Sequence, residues 1–131
     1  NLDTVAISGL AAGDMLLVIA TIDQATQAAL GNVSLYNDTD AVTLALPMVT
    51  PNAGAVGMGH SDLLQSQPSA TVIKSVSFGT NAAGTSGQVA STNAAVTTAW
   101  TGAWTLAFRA GGQTAGGTHR WRWSVYRLLS T

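Results

Sequence analysis

The sequence predicts an all-β fold, an antiparallel two-sheet β-sandwich of jelly-roll-like type. Three observations predict it. Apolar residues recur at period two over most of the chain, rather than at 3.6. Gly, Pro, Asn and Asp punctuate these runs, giving roughly eight short strands at the spacing of a sandwich. No amphipathic helix longer than two turns and no internal repeat competes with them. Loops of uneven length favour crossings between two sheets over an up-and-down barrel. With 131 residues the chain fits a single domain, 1–131, built on one core.

Residues 2–8 read as a short strand and 9–14 as a turn. Residues 15–22 form the strongest strand, with Leu17 and Ile19 on one face and Leu16, Val18 and Ile22 on the other. Both faces are apolar, so this is a central strand covered on each side by a second sheet or by another subunit. Residues 23–32 read as a loop. Strands at 33–36 and 41–46 flank Asn37, Asp38, Thr39 and Asp40, whose Asx side chains favour a tight turn and hence a hairpin. Pro47 and Pro51 mark a break, since proline has no ladder donor. Strands resume over 55–64 and 69–78, and 79–93, small and polar apart from Val89, reads as a surface loop or a weak edge strand.

The last 32 residues alternate most clearly. Trp104, Leu106 and Phe108 interleave with Thr105, Ala107 and Arg109, and Trp121, Trp123 and Val125 with Arg120, Arg122, Ser124 and Tyr126. The glycine-rich stretch between them, 110–118, is expected to join the two strands as a hairpin with a mobile loop. The alternation turns Trp104, Trp121 and Trp123 inward and Arg120 and Arg122 outward, and leaves Trp100 as the exposed ring.

Only 8% of residues are charged, against roughly 25% in an ordinary soluble protein. Such a weakly charged, partly apolar surface favours an oligomer or a lattice component. The net charge of −1 gives no basic stripe for nucleic acid. The distribution is uneven: Asp3, Asp14, Asp23, Asp38, Asp40 and Asp62 all precede residue 63, while Lys74, Arg109, Arg120, Arg122 and Arg127 follow residue 73. Pairing between neighbouring strands of one chain accounts for this split. The other reading sets an acidic side against the basic side of a neighbouring subunit.

The chain has no cysteine, hence no disulfide, thiolate nucleophile or cysteine metal site, and its redox compartment is left open. The run MLLVIA at 15–20 is far short of the roughly 20 residues that span a bilayer, so neither a transmembrane helix nor a membrane partner is expected. A chain opening on Asn1 without a basic n-region is expected to be processed or part of a longer protein.

Chemistry is sparse. Asn37, Asp38 and Asp40 could hold a hard cation, but there is no glutamate to complete an EF-hand-like set, and a turn-stabilising role fits better. His60, Ser61 and Asp62 are adjacent, yet neighbours in a strand point to opposite faces and a catalytic triad assembles from distant segments. Asn32 and Asn37 match the glycosylation acceptor pattern, a chance match in a chain this rich in Ser and Thr. No phosphate loop, paired glutamates or His-rich metal spacing is present, so the expectation is a non-enzyme with no cofactor and no metal. The candidate ligand or partner contacts are Trp100, His119, Arg120 and Arg122: a cationic spot at a strand start, and a ring suited to stacking on a sugar.

The segments ISGLAAGDMLLV at 7–18, WTLAFRAGG at 104–112 and RWRWSVYR at 120–127 resemble small β-sandwich domains of tailed-phage virion proteins, found in decoration proteins, head fibres and tail-fibre tips. The resemblance covers both ends of the chain and implies a jelly roll, commonly a homotrimer, that binds and scaffolds. The first expectation is therefore a non-enzymatic virion structural protein, a capsid decoration or fibre domain whose partners are itself and a larger capsid or fibre assembly. The alternative is a carbohydrate- or receptor-binding module that holds a glycan at Trp100, His119 and Arg120.

Overall fold

The computed structural model describes residues 3–24, 32–45, 48–49, 58–66, 71–80, 87–111 and 119–130. Among the described residues ten strands form two antiparallel sheets. The first sheet contains β1 (Asp3–Ile7), β3 (Asn32–Asn37), β4 (Val42–Thr43), β5 (Met48–Val49) and β9 (Trp104–Gly111). Its order is β1-β9-β3-β4, with β5 beside the opposite end of β3. The second sheet contains β2 (Met15–Gln24), β6 (Met58–Ser66), β7 (Val72–Thr80), β8 (Gly87–Ala95) and β10 (His119–Leu128), in the order β10-β2-β6-β7-β8. The chain changes sheet between β1 and β2, β2 and β3, β5 and β6, β8 and β9, and β9 and β10.

Period-two alternation decides what lies between the sheets. From the second sheet Leu16, Val18 and Ala20 of β2, Leu64 of β6 and Ile73 of β7 point inward, and from the first Ile7, Leu35, Trp104, Leu106 and Phe108 meet them. Val18, Leu64 and Leu106 are fully enclosed. Loop residues close the ends: Leu10, Leu44, Val96 and Trp100 belong to the same cluster. The β3–β4 hairpin expected around Asn37–Asp40 forms, with Tyr36 opposite Thr43 and Asn37 opposite Val42. Its return strand is only two residues long, because Leu44 and Ala45 turn into the core. The expected break at Pro47 and Pro51 lies outside the described residues. The small-residue segment after 79 supplies an edge strand, β8, paired along β7.

Two expectations are corrected. β9 and β10 do not form a hairpin: β9 lies between β1 and β3 in the first sheet, and β10 pairs with β2 in the second. Alternation records which side chains face inward, and says nothing about which strand lies alongside. The two strands meet face to face across the core instead. The rings of Phe108 and Trp123 stack with centroids 5.5 Å apart and planes 17° from parallel. The inward assignments of Trp104 and Trp123 hold, with Trp104 at 3% exposure and Trp123 packed on the core; the Trp121 side chain lies outside the described residues.

Trp100 is the second correction. It is 1% exposed, with its ring centroid 5.7 Å from that of Trp104. It sits in the turn before β9, where no strand period applies, and the apolar end of the sandwich takes it in.

Trp123 also donates its indole N–H to Asp3 Oδ2 at 2.8 Å, so one side chain ties β10 to β1 at the open side of the sandwich. Replacing it with alanine removes the Phe108 stack and this link together. Trp123→Ala is expected to cost about 3 kcal/mol and to lower the melting temperature by about 10 °C, read by circular dichroism. A variant melting within two degrees of wild type, on the order of 0.5 kcal/mol, would contradict the inward stacking.

Candidate interaction surface

The four side chains singled out from the sequence are not brought together. Trp100 precedes β9 at the end where Trp104 pairs with Ile7. His119 opens β10 at the opposite end, in register with Gln24, and Arg120 stands opposite Asp23; the side chains of His119 and Arg120 lie outside the described residues. Arg122 is exposed on the outer face of β10, opposite Thr21.

Most of the described charge is spent inside the chain. Asp14, in the turn between β1 and β2, is 2% exposed. Its carboxylate accepts from the amides of Ala11 (2.8 Å) and Ser130 (2.9 Å) and from Arg127 Nη2 (2.6 Å) and Nε (2.9 Å). It thereby fastens the end of β10 to the turn before β2. Gly13 makes the approach possible: its φ of +95° suits glycine, and a Cβ there would meet Ser130 Cβ at 3.3 Å.

Asp40 is a second hub. It accepts from the amides and hydroxyls of Thr97 and Thr98 at 2.6–3.2 Å and from Asn37 Nδ2 at 3.0 Å, joining the β3–β4 turn to the segment after β8. Asp38 takes the guanidinium of Arg109 at 2.6 Å, and that group lies 3.5 Å from the centroid of the Tyr36 ring.

The Asn37–Asp40 cluster is thus a turn whose oxygens are engaged by protein donors. Among the described residues no group of three or more His, Cys, Asp or Glu could hold a metal ion. Asn37, with 1% exposure and its amide bonded to Asp40, is also no glycosylation acceptor in this fold. On β6, Asp62 points inward and Ser61 outward, so these neighbours do not converge. The pairs Asp38–Arg109 and Asp14–Arg127 both join an early acid to a late base, as expected when the charge split is resolved within one chain.

What the geometry does assemble is a contrast between two outer faces. The first sheet turns outward Thr4 and Ala6 of β1, Thr105 and Arg109 of β9, and Ser34 and Tyr36 of β3. That face is polar or small apart from the Tyr36 ring, which Arg109 covers, and the arginine is itself neutralised by Asp38. The second sheet turns outward Met15, Leu17 and Ile19 of β2, Leu63 of β6, Val76 and Phe78 of β7, and Tyr126 and Leu128 of β10, with Thr21, Ser61, Gln65, Lys74, Ser91, Asn93, Arg122 and Ser124 between and around them. Exposure reaches 43% at Ile19, 47% at Phe78 and 50% at Tyr126. The two-sided pattern of residues 15–22 signalled this face; the contributions of Leu63, Val76 and Phe78 follow once their strands are known to flank it.

Compared with family models, curated proteins and solved structures, the chain matches none.

Hydrogen bonds from Ser130 and Ala11, together with Arg127, hold the Asp14 carboxyl well below the ordinary aspartate value of 3.8, against the desolvation that pushes it up. At Asp40 desolvation also pushes upward, and the Thr97 and Thr98 donors outweigh it. A carboxyl lowered in the folded state contributes stability that is full above its unfolded value and is lost as pH falls toward its folded one. The melting temperature is therefore expected to be flat from neutral pH to about 5 and to fall below about 4. Asp14→Asn should melt lower at neutral pH and show a shallower acid decline, with Asp40 supplying the remainder. An acid decline of unchanged depth in Asp14→Asn would contradict the role assigned to Asp14.

Proposed function

We propose that the protein is a non-enzymatic structural component of a virion, a capsid decoration or fibre domain that acts as a homo-oligomer on a larger assembly. The observation that carries this reading is the inequality of the two outer faces. A sheet that faces water on one side places polar residues there, as the first sheet does. The second presents large apolar side chains instead, and contiguous apolar surface of this kind marks a contact site. The scarcity of charge and the resemblance of both chain ends to tailed-phage β-sandwich domains support the same reading.

Such a protein works by contact. Apolar area removed from water provides the affinity, and a sandwich tied at its turns by Asp14 and Asp40 presents that area on a rigid frame. The carbohydrate-binding alternative loses its aromatic platform, because the ring assigned to sugar stacking, Trp100, is enclosed.

Light scattering on the purified chain tests the reading. A discrete oligomer at micromolar concentration is expected. A monomer that retains a glycan would contradict the assembly reading and favour the adhesin-like one.

A further inference from the structure

We infer that the outer face of the β10-β2-β6-β7-β8 sheet is the contact between two copies of this chain, packed sheet on sheet about a two-fold axis. This rests on the assembly reading above and names its partner. The register builds the face. Tyr126, Leu17, Leu63 and Val76 stand side by side across four strands, and Ile19 and Phe78 flank Ser61 in the next row. Serines at 61, 91 and 124 leave hollows between the larger side chains, as interdigitation at core density requires.

Area and charge both favour a second copy. Five strands about 4.8 Å apart, aligned over about 25 Å of their length, give a projected sheet face of about 600 Å², with the apolar side chains in its middle rows and polar ones around them. Two such faces bury about 1,200 Å², the lower bound of a stable specific interface. By register Asp23 and Arg120 stand opposite each other at the far end of β2 and β10, so that this acid is matched by a base, and Lys74 and Arg122 lie in the outer rows of the face. An apolar centre within a polar rim is the anatomy of a protein contact. With a net charge of −1, two copies do not repel at long range.

The symmetry follows from the contrast between the faces. The opposite outer face is polar and closed by Arg109 over Tyr36, so a head-to-tail contact would lay apolar side chains on a solvated sheet. Among the described surfaces, the same face of another copy covers apolar surface with apolar surface, and an isologous contact of that kind is two-fold. Two sheets so stacked pack about 10 Å apart with strands about 30° from aligned.

Ile19→Glu and Phe78→Glu test the inference, since both side chains are substantially exposed in the single chain. Thr4→Glu, on the opposite outer face, is the control. Light scattering across a dilution series should give wild type and Thr4→Glu twice the 13.3 kDa chain mass. Each face variant should weaken association by at least about 100-fold, with wild-type circular dichroism and a melting temperature within a few degrees of the dissociated wild-type chain.

Face variants that keep the wild-type mass, or a wild-type trimer, would overturn the stacked pair and leave the assembly reading standing. A wild-type monomer would overturn both, and binding of that monomer to anionic phospholipid vesicles would assign the face to a lipid surface instead. Should the glutamate variants fail to fold, the cysteine-free chain permits single-cysteine crosslinking. Ser61→Cys is expected to form a covalent dimer with a bifunctional maleimide that spans about 10 Å, the separation of stacked sheets, and Ser34→Cys, on the opposite face, to remain monomeric; equal crosslinking at both would overturn the inference.

Discussion

One layer of side chains, shared between two five-stranded sheets, governs the rest of this structure. Each strand exposes two faces, and the favourable free energy of the fold comes from burying one of them. Leu106 and Phe108 of β9 against Val18 of β2 and Leu64 of β6 form the centre of that layer. The strands that contribute most to it, β2 and β9, each lie between two neighbours and pair along both edges. The chain must pass repeatedly from one sheet to the other to fill both sides of that layer. That requirement places long connections at the ends of the sandwich and makes their anchoring the next structural problem.

The few charges solve it. Asp14 and Asp40 each gather several donors from a segment distant in sequence, so that a turn is held to the chain's end in one case and to the segment before β9 in the other. Carboxylates accepting backbone amides are strong, directional fasteners. A chain that uses its acids and bases in this way has few left to solvate its surface. The apolar outer face of the second sheet and the internal ion pairs are thus two consequences of one composition.

Much of this was legible in the sequence, and the limits of legibility are physical. The strand at 15–22 announced itself by apolar residues on both faces, and the Asn37–Asp40 turn by its Asx side chains. Trp104 and Trp123 were placed correctly because a pleated strand has only two directions for a side chain. The pairing of β9 and β10 was not legible, since neighbours in a sheet are chosen by the packing of the whole sandwich and leave no mark on alternation. Trp100 was misplaced because a turn has no period, and its ring follows the nearest apolar enclosure. Asp14 carried no signal beyond its place after Gly13: apart from the Ala11 amide, the donors that make it a hub come from residues more than a hundred positions away. Of the contact residues chosen from the sequence, Arg122 alone is seen on the apolar outer face, at its margin, while the centre of that face needed the register of four strands to be recognised.

The central claim is that the two outer faces differ because one meets water and the other meets protein. Hydroxyl-radical footprinting over a dilution series measures this most directly, side chain by side chain and without substitution. The account predicts that Phe78 and Tyr126 are protected at high concentration and become reactive on dilution, while Tyr36 on the first sheet keeps one reactivity throughout. Reactivity at Phe78 and Tyr126 that is high and independent of concentration would contradict it.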